Sequence, residues 1–111
     1  MKTVIIDGIT YEATEQQSSE YVLIRAKESG VHFGRLKQRE GDSVTLTNAR
    51  RVWFWSGAAS LSQMAVEGVN NPDECKFSVM VPEITVLGVC EIIPLSHDAR
   101  ANLYGVREWR V

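Results

Sequence analysis

Three short glycine-containing breaks, set between runs that alternate apolar and polar residues, constrain this chain most. Thr3-Val4-Ile5-Ile6 and Ile9-Thr10-Tyr11 flank Asp7-Gly8, and Asp-Gly supplies the positive φ angles that a two-residue hairpin turn needs. Residues 21–26 predict a further strand. Ser29-Gly30 turns it into residues 31–36, where Val31, Phe33 and Arg35 share one face, and Gly41-Asp42 turns again into residues 43–47. Period-two alternation places successive side chains on opposite faces of a strand, so these runs predict an antiparallel meander. The polar, aperiodic residues 15–20 read as a loop joining it to the first hairpin.

The second half changes character. Residues 48–63 read NARRVWFWSGAASLSQ: two arginines, an aromatic run holding two of the three tryptophans, a Ser-Gly turn, then small residues. Over residues 58–69, Leu61, Met64, Ala65 and Val69 recur at helical spacing, with Ser56 as the expected N-cap and Gly68 as a left-handed C-terminal cap. Asn70-Asn71-Pro72-Asp73 is a turn signal. Residues 75–81 return as strand and Pro82 interrupts it. Residues 84–93 form the longest β-branched run, which Pro94 stops. Ser96-His97-Asp98 opens a short helix running to about Leu103 and ended by Gly105, and residues 106–111 read as a last strand or an extended tail. The predicted class is α+β: an antiparallel β-sheet of meander and hairpins packed around two helices, as a single domain over residues 1–111.

Composition excludes several functions. With 12 basic against 14 acidic residues, well mixed along the chain, no cationic face is on offer and duplex nucleic acid is not an expected partner. Cys75 and Cys90 have neither CxxC spacing nor a nearby histidine, so no metal is expected and each reads as a free buried thiol. No signal peptide and no membrane-length apolar run are evident, so the expectation is a soluble cytoplasmic protein with no membrane partner. Catalytic signatures are absent. His32 and His97 stand apart, Ser56, Ser60 and Ser62 lack a nucleophile elbow, and Glu83 and Glu91 read as solvent-facing charges rather than an acid–base pair. No catalytic residue and no cofactor are expected.

What remains is an inventory of binding residues. Arg50 and Arg51 precede the aromatic run, Ser56 and Gly57 lead into the helix, Lys76-Phe77 opens the next strand, and Arg107 and Arg110 bracket Trp109. Arginine presents a planar fork to phosphate and stacks on bases, and a helix start favours anions. Each residue also has an ordinary explanation: an edge-strand ion pair for Arg50 and Arg51, core for Phe77, a solvated tail for Arg107 and Arg110, a strand-turn-helix corner for Ser56-Gly57. Basic–aromatic pairing at three separate places is what favours a ligand.

The pattern Asn48-Ala49-Arg50-Arg51-x-Trp53-x-Trp55-Ser56-Gly57-Ala58-Ala59-Ser60-Leu61-Ser62-Gln63, with Glu67-Gly68-Val69 and Asn71-Pro72-x-x-Cys75-Lys76-Phe77, resembles a family of small phage proteins, over roughly residues 21–93. Through it the chain resembles the phage Thoeris anti-defence sponges, which sequester cyclic ADP-ribose signals. The resemblance implies an antiparallel sheet with two helices, a homodimer or trimer of dimers, and capture of the nucleotide without cleavage. Cyclic oligonucleotides would be further ligands. It implies Arg51 as a pocket cation, Phe77 as the base-stacking aromatic, and Arg107 and Arg110 as cations reaching the ligand from a neighbouring subunit. These last two lie outside the matched stretch, as does the N-terminal hairpin.

Three structural expectations follow. The helix face bearing Ala58, Ala59, Leu61, Met64 and Ala65 is expected near a dimer interface. Trp53 and Trp55 are expected on one strand face, in the core, with Phe77 partly exposed. The alternatives to a sponge are a phage inhibitor that binds a host protein through the Trp/Phe run, or a hydrolase of the same signals.

Overall fold

The computed structural model describes residues 3–6, 9–12 and 20–111. Strands β1 (Thr3–Ile6) and β2 (Ile9–Glu12) pair antiparallel, with Ile6 opposite Ile9, the register of a two-residue hairpin. The Asp7-Gly8 turn lies outside the described residues, as does all but the last residue of the loop expected over 15–20.

The meander is present and longer than its alternation suggested. Strands β3 (Tyr21–Ala26), β4 (Gly30–Glu40) and β5 (Ser43–Phe54) pair antiparallel in sequence order. Gly30 and Gly41 both take positive φ at the two turns, a conformation only glycine adopts without strain. Beyond β5, the outer edge is shared. β6 (Lys76–Phe77) pairs with the end of β5, and β7 (Val81–Val86) pairs with its beginning. Pro82 sits inside β7 rather than ending the preceding strand, where an edge strand tolerates its missing N–H. On the opposite side, β8 (Val89–Pro94) pairs with β3.

The single run expected over residues 84–93 is therefore two strands, β7 and β8, broken at Leu87-Gly88, where Gly88 has φ 73°. The break shapes the fold. In a flat sheet β7 and β8, separated by β5, β4 and β3, would lie about 19 Å apart, whereas two linking residues span at most about 11 Å. The sheet must curl until its edges approach. Val89 N–H donates to Asp42 O and Lys27 N–H to Gly88 O, fastening the bend to the two hairpin turns.

Curling gives the sheet two apolar faces. Val22, Ile24, Ala26, Val44, Leu46, Ala49 and Val86 fill the concave side. Leu23, Phe33, Val52 and Phe77 line the other side, under helices α1 (Leu61–Glu67) and α2 (His97–Tyr104), which contribute Met64, Ala65 and Leu103. Strand β3 is buried on both faces, and so reads as a continuous apolar run rather than an alternating one.

Helix α1 is shorter than the sequence suggested. Its N-cap is Ser60, not Ser56: Ser60 Oγ accepts from Gln63 N–H, while Gln63 Oε1 accepts from Ala59 N–H. This reciprocal arrangement is a variant of the capping box and uses donors that an anion would need. Gly68 does cap the C-terminus with positive φ, at 81°. Met64 and Ala65 are buried against the chain's own sheet, with Ala58 and Leu61 packed alongside. The face expected to meet a second copy is thus used within the chain. Of the two cysteines, both free, Cys75 is buried as expected, but Cys90 is exposed because it occupies the extra position of a bulge in β8 opposite Arg25 and Ala26. Among the described residues no helix is long and apolar enough to cross a membrane.

Candidate ligand-binding surface

The strand β5 sets the site by breaking its own alternation. Val52 pairs with Phe77 and Phe54 with Lys76, so Trp53 is an extra residue on β5. A bulge re-aims side chains, and the expectation of two core tryptophans fails here. Trp53 is 57% exposed, on the same side as Arg51, whose guanidinium carbon lies 5.1 Å from its ring centroid. Trp55, past the end of the strand, packs on the helix-covered cluster and donates Nε1–H to Ala58 O.

Trp109 extends the surface. The C-terminal segment is held parallel to β6 by a bridge between Glu108 and Phe77, with Trp109 N–H donating to Phe77 O at 2.8 Å. This places the Trp109 ring, 50% exposed, 6.4 Å from Trp53 and edge-on to it. Lys76 Nζ lies 5.4 Å from the Trp109 centroid. The result is a ladder of Arg51, Trp53, Trp109 and Lys76, in which each cation sits on an indole. Beside it, a concavity of about 540 Å³ is lined by Phe54, Lys76, Arg107, Trp109 and Arg110, together with the acidic Asp73, Glu74 and Glu108. Arg110 is paired with Glu108 at 2.9 Å. The three basic–aromatic clusters of the sequence therefore meet on one surface, with Arg107 and Arg110 lining it in the same chain as Lys76.

The other expected site residues do not join them. Arg50 is only 3% exposed. Its guanidinium donates to Ser78 O and Val106 O at 2.8 Å, to Leu103 O at 3.3 Å and to Phe77 O at 3.4 Å, between the rings of Phe33 and Phe77. Burial lowers its pKa from the ordinary arginine value, partly opposed by Glu108. The edge-strand ion pair is replaced by a cation serving carbonyls. One of them, Leu103 O, belongs to the last turn of α2, where intrahelical partners run out. Arg50 cannot reach a ligand.

Phe77 is fully buried and packs edge-on to Phe33 at 5.6 Å. With only two residues, β6 is flanked by β5 on one side and the Glu108 bridge on the other, so its inward ring enters the core. The expectation that Phe77 stacks on a base from an exposed position is overturned by this burial. Ser56 and Gly57 form no helix start. Asn71 Nδ2 donates to Ser56 Oγ and Asn70 N–H to Gly57 O, and Gly57 holds φ 93° with a Cβ position only 2.5 Å from the Asn70 and Asn71 nitrogens. The corner is a loop-to-loop clasp. Glu83 and Glu91 pair separately with Lys37 and Arg25 at 2.8 and 2.9 Å, on exposed faces. No group of three His, Cys, Asp or Glu capable of holding a metal occurs among the described residues.

Sequence reasoning missed the deep burial of His32, whose Nε2 meets Ser29 O at 3.1 Å. Burial, reinforced by Arg51, lowers its pKa from 6.5 to about 4. It also missed a cleft of about 530 Å³ beneath α2, whose residues are far apart in the chain.

Fold and surface together define a curled antiparallel α+β domain with an outward-facing cation–indole ladder. Residues 19–103 match the family described as "Domain of unknown function (DUF6948)", and the chain belongs to that family. No curated protein and no solved structure matches it.

Proposed function

We propose that the protein is a non-enzymatic cytoplasmic binder of cyclic ADP-ribose-type nucleotides, which it captures on the Arg51–Trp53–Trp109–Lys76 surface and holds intact. The observation that carries this reading is the pair of half-exposed indoles, each flanked by a cation. An indole offers a face to adenine, worth about 1–3 kcal/mol. A cation hydrogen-bonded to a phosphate oxygen contributes about 1.5–3 kcal/mol. One stack with two such contacts corresponds to millimolar to micromolar affinity, too weak to sequester a signal. Tight capture therefore needs the ligand closed between two copies of the chain, as a homodimer or a trimer of dimers, where water is excluded and both terms strengthen. The choice of nucleotide, and a phage anti-defence role against Thoeris and cyclic-oligonucleotide signalling, rest on the sequence resemblance.

Titration calorimetry with cyclic ADP-ribose isomers tests the assignment. Arg51→Ala and Trp109→Ala should each weaken binding by about 10–100-fold while leaving the fold intact. Unchanged affinity in both would move the site elsewhere.

A second reading has an observation of its own. Asp73, Glu74 and Glu108 line the same concavity and repel phosphate, whereas the exposed Trp53, Phe54 and Trp109 have the composition of a protein-binding hot spot. In that case the partner is a host protein, and the nucleotides produce no heat.

A further inference from the structure

The cleft beneath α2 lies apart from the indole ladder and shares none of its residues. Its wall is Tyr21 from β3, Asn48 from β5, Met80 before β7, and His97, Arg100, Ala101 and Tyr104 from α2. Its volume, about 530 Å³, is that of a small-molecule site. The lining includes no carboxylate, although acidic residues outnumber basic ones in the chain. It does include two nitrogen-bearing side chains one turn apart on the helix, His97 and Arg100, which therefore share a face.

The Arg100 guanidinium carbon stands 3.7 Å from the centroid of the Tyr21 ring. Stacking uses the flat face of the fork and leaves its in-plane N–H donors available, the arrangement that binds a carboxylate or phosphate bidentately. Among the described residues Arg100 is in no salt bridge and its side chain makes no hydrogen bond. The floor is rigid. Tyr21 and Tyr104 pack edge-on at 5.9 Å, and Tyr104 O–H donates to Asn48 O at 2.7 Å. Asn48 holds a left-handed conformation, φ 51°, within a bulge where it and Ala49 face Gly34 alone, and it is exposed at the rim. Met80, 49% exposed, supplies an adaptable apolar wall.

We propose that this cleft binds a compact organic oxyanion, a phosphate or carboxylate carried on an apolar or aromatic body. The anionic group meets the in-plane donors of Arg100 near His97, and the body lies against Met80 and the tyrosines. The inference does not depend on the ladder's ligand.

The test is amide-shift mapping by NMR on the full chain with two probes, phenyl phosphate and benzoate, which separate the two oxyanions. Added to about 10 mM, at least one probe should shift the amides of Asn48, Met80 and residues 97–104 saturably. Arg100→Gln should weaken this at least about tenfold, and Ala101→Glu, an exposed substitution that adds a carboxylate to the wall without touching the core, should abolish it. Trp109→Ala should leave it unchanged, so failure here is separable from failure of the ladder. No saturable shift with either probe, unchanged shifts in Ala101→Glu, or shifts centred on Trp109 would overturn the proposal.

Discussion

Replacing Arg50 with methionine keeps the aliphatic stem and removes the fork. Three carbonyls in and around the core, Ser78 O, Leu103 O and Val106 O, then lose a charged donor at 2.8–3.3 Å. Each orphaned buried carbonyl costs about 1–3 kcal/mol. Relief from burying a cation returns part of that, and the net is about 3–5 kcal/mol, the range for removing one side of a buried charged network. For a domain near this size such a loss lowers Tm by at least about 12 °C and the urea midpoint by about 1 M or more. Urea unfolding followed by tryptophan fluorescence measures it. A variant within about 1 kcal/mol of the parent would refute the assignment of Arg50 to the carbonyls. It would reopen the ligand role that its place beside Arg51 had suggested.

That place is instructive, because neighbouring arginines have opposite fates. The strands β3 to β5 were legible because apolar alternation and the glycine turns at Gly30 and Gly41 are local signals. Whether Arg50 or Arg51 faces the core depends on the strand's face and on where α2 ends, and α2 lies some fifty residues further on. The bulge at Trp53 carries no sequence mark, so simple alternation put the wrong tryptophan inside. Leu87-Gly88 was hidden within a β-branched run. Serines at positions 56, 60 and 62 offered competing caps, and Ser60 wins because Gln63 reciprocates. The meeting of Lys76 and Trp109 with Arg51 was foreshadowed only as clustering, and the cleft of Tyr21, Asn48 and Arg100 draws on three distant segments that no local pattern links.

Further outcomes are expected. Phe77→Ala should cost about 3–5 kcal/mol, whereas Trp53→Ala should leave the urea midpoint nearly unchanged, reversing the ranking that alternation suggests. Gly57→Ala, which forces a Cβ to within 2.5 Å of two backbone nitrogens at φ 93°, should cost about 2 kcal/mol or more, read from the same unfolding curves. For His32 the folded pKa of about 4 lies below the ordinary 6.5, so the unfolded chain binds the proton more tightly. Its stability contribution is complete above pH 6.5 and is lost as pH falls towards 4, by about 3 kcal/mol in all. Urea midpoints at pH 7 and pH 4.5 should fall less in His32→Gln than in the parent; equal falls would remove His32 as the cause.

The most direct test of the central claim is recovery of the bound molecule. The purified protein is incubated with cyclic ADP-ribose isomers, separated from free nucleotide and heat-denatured, and the supernatant is chromatographed. The account predicts intact nucleotide released in proportion to protein, and loss of that release in Trp53→Ala and Trp109→Ala. A chemically altered product would contradict a non-enzymatic binder, and no retained nucleotide at all would contradict nucleotide capture.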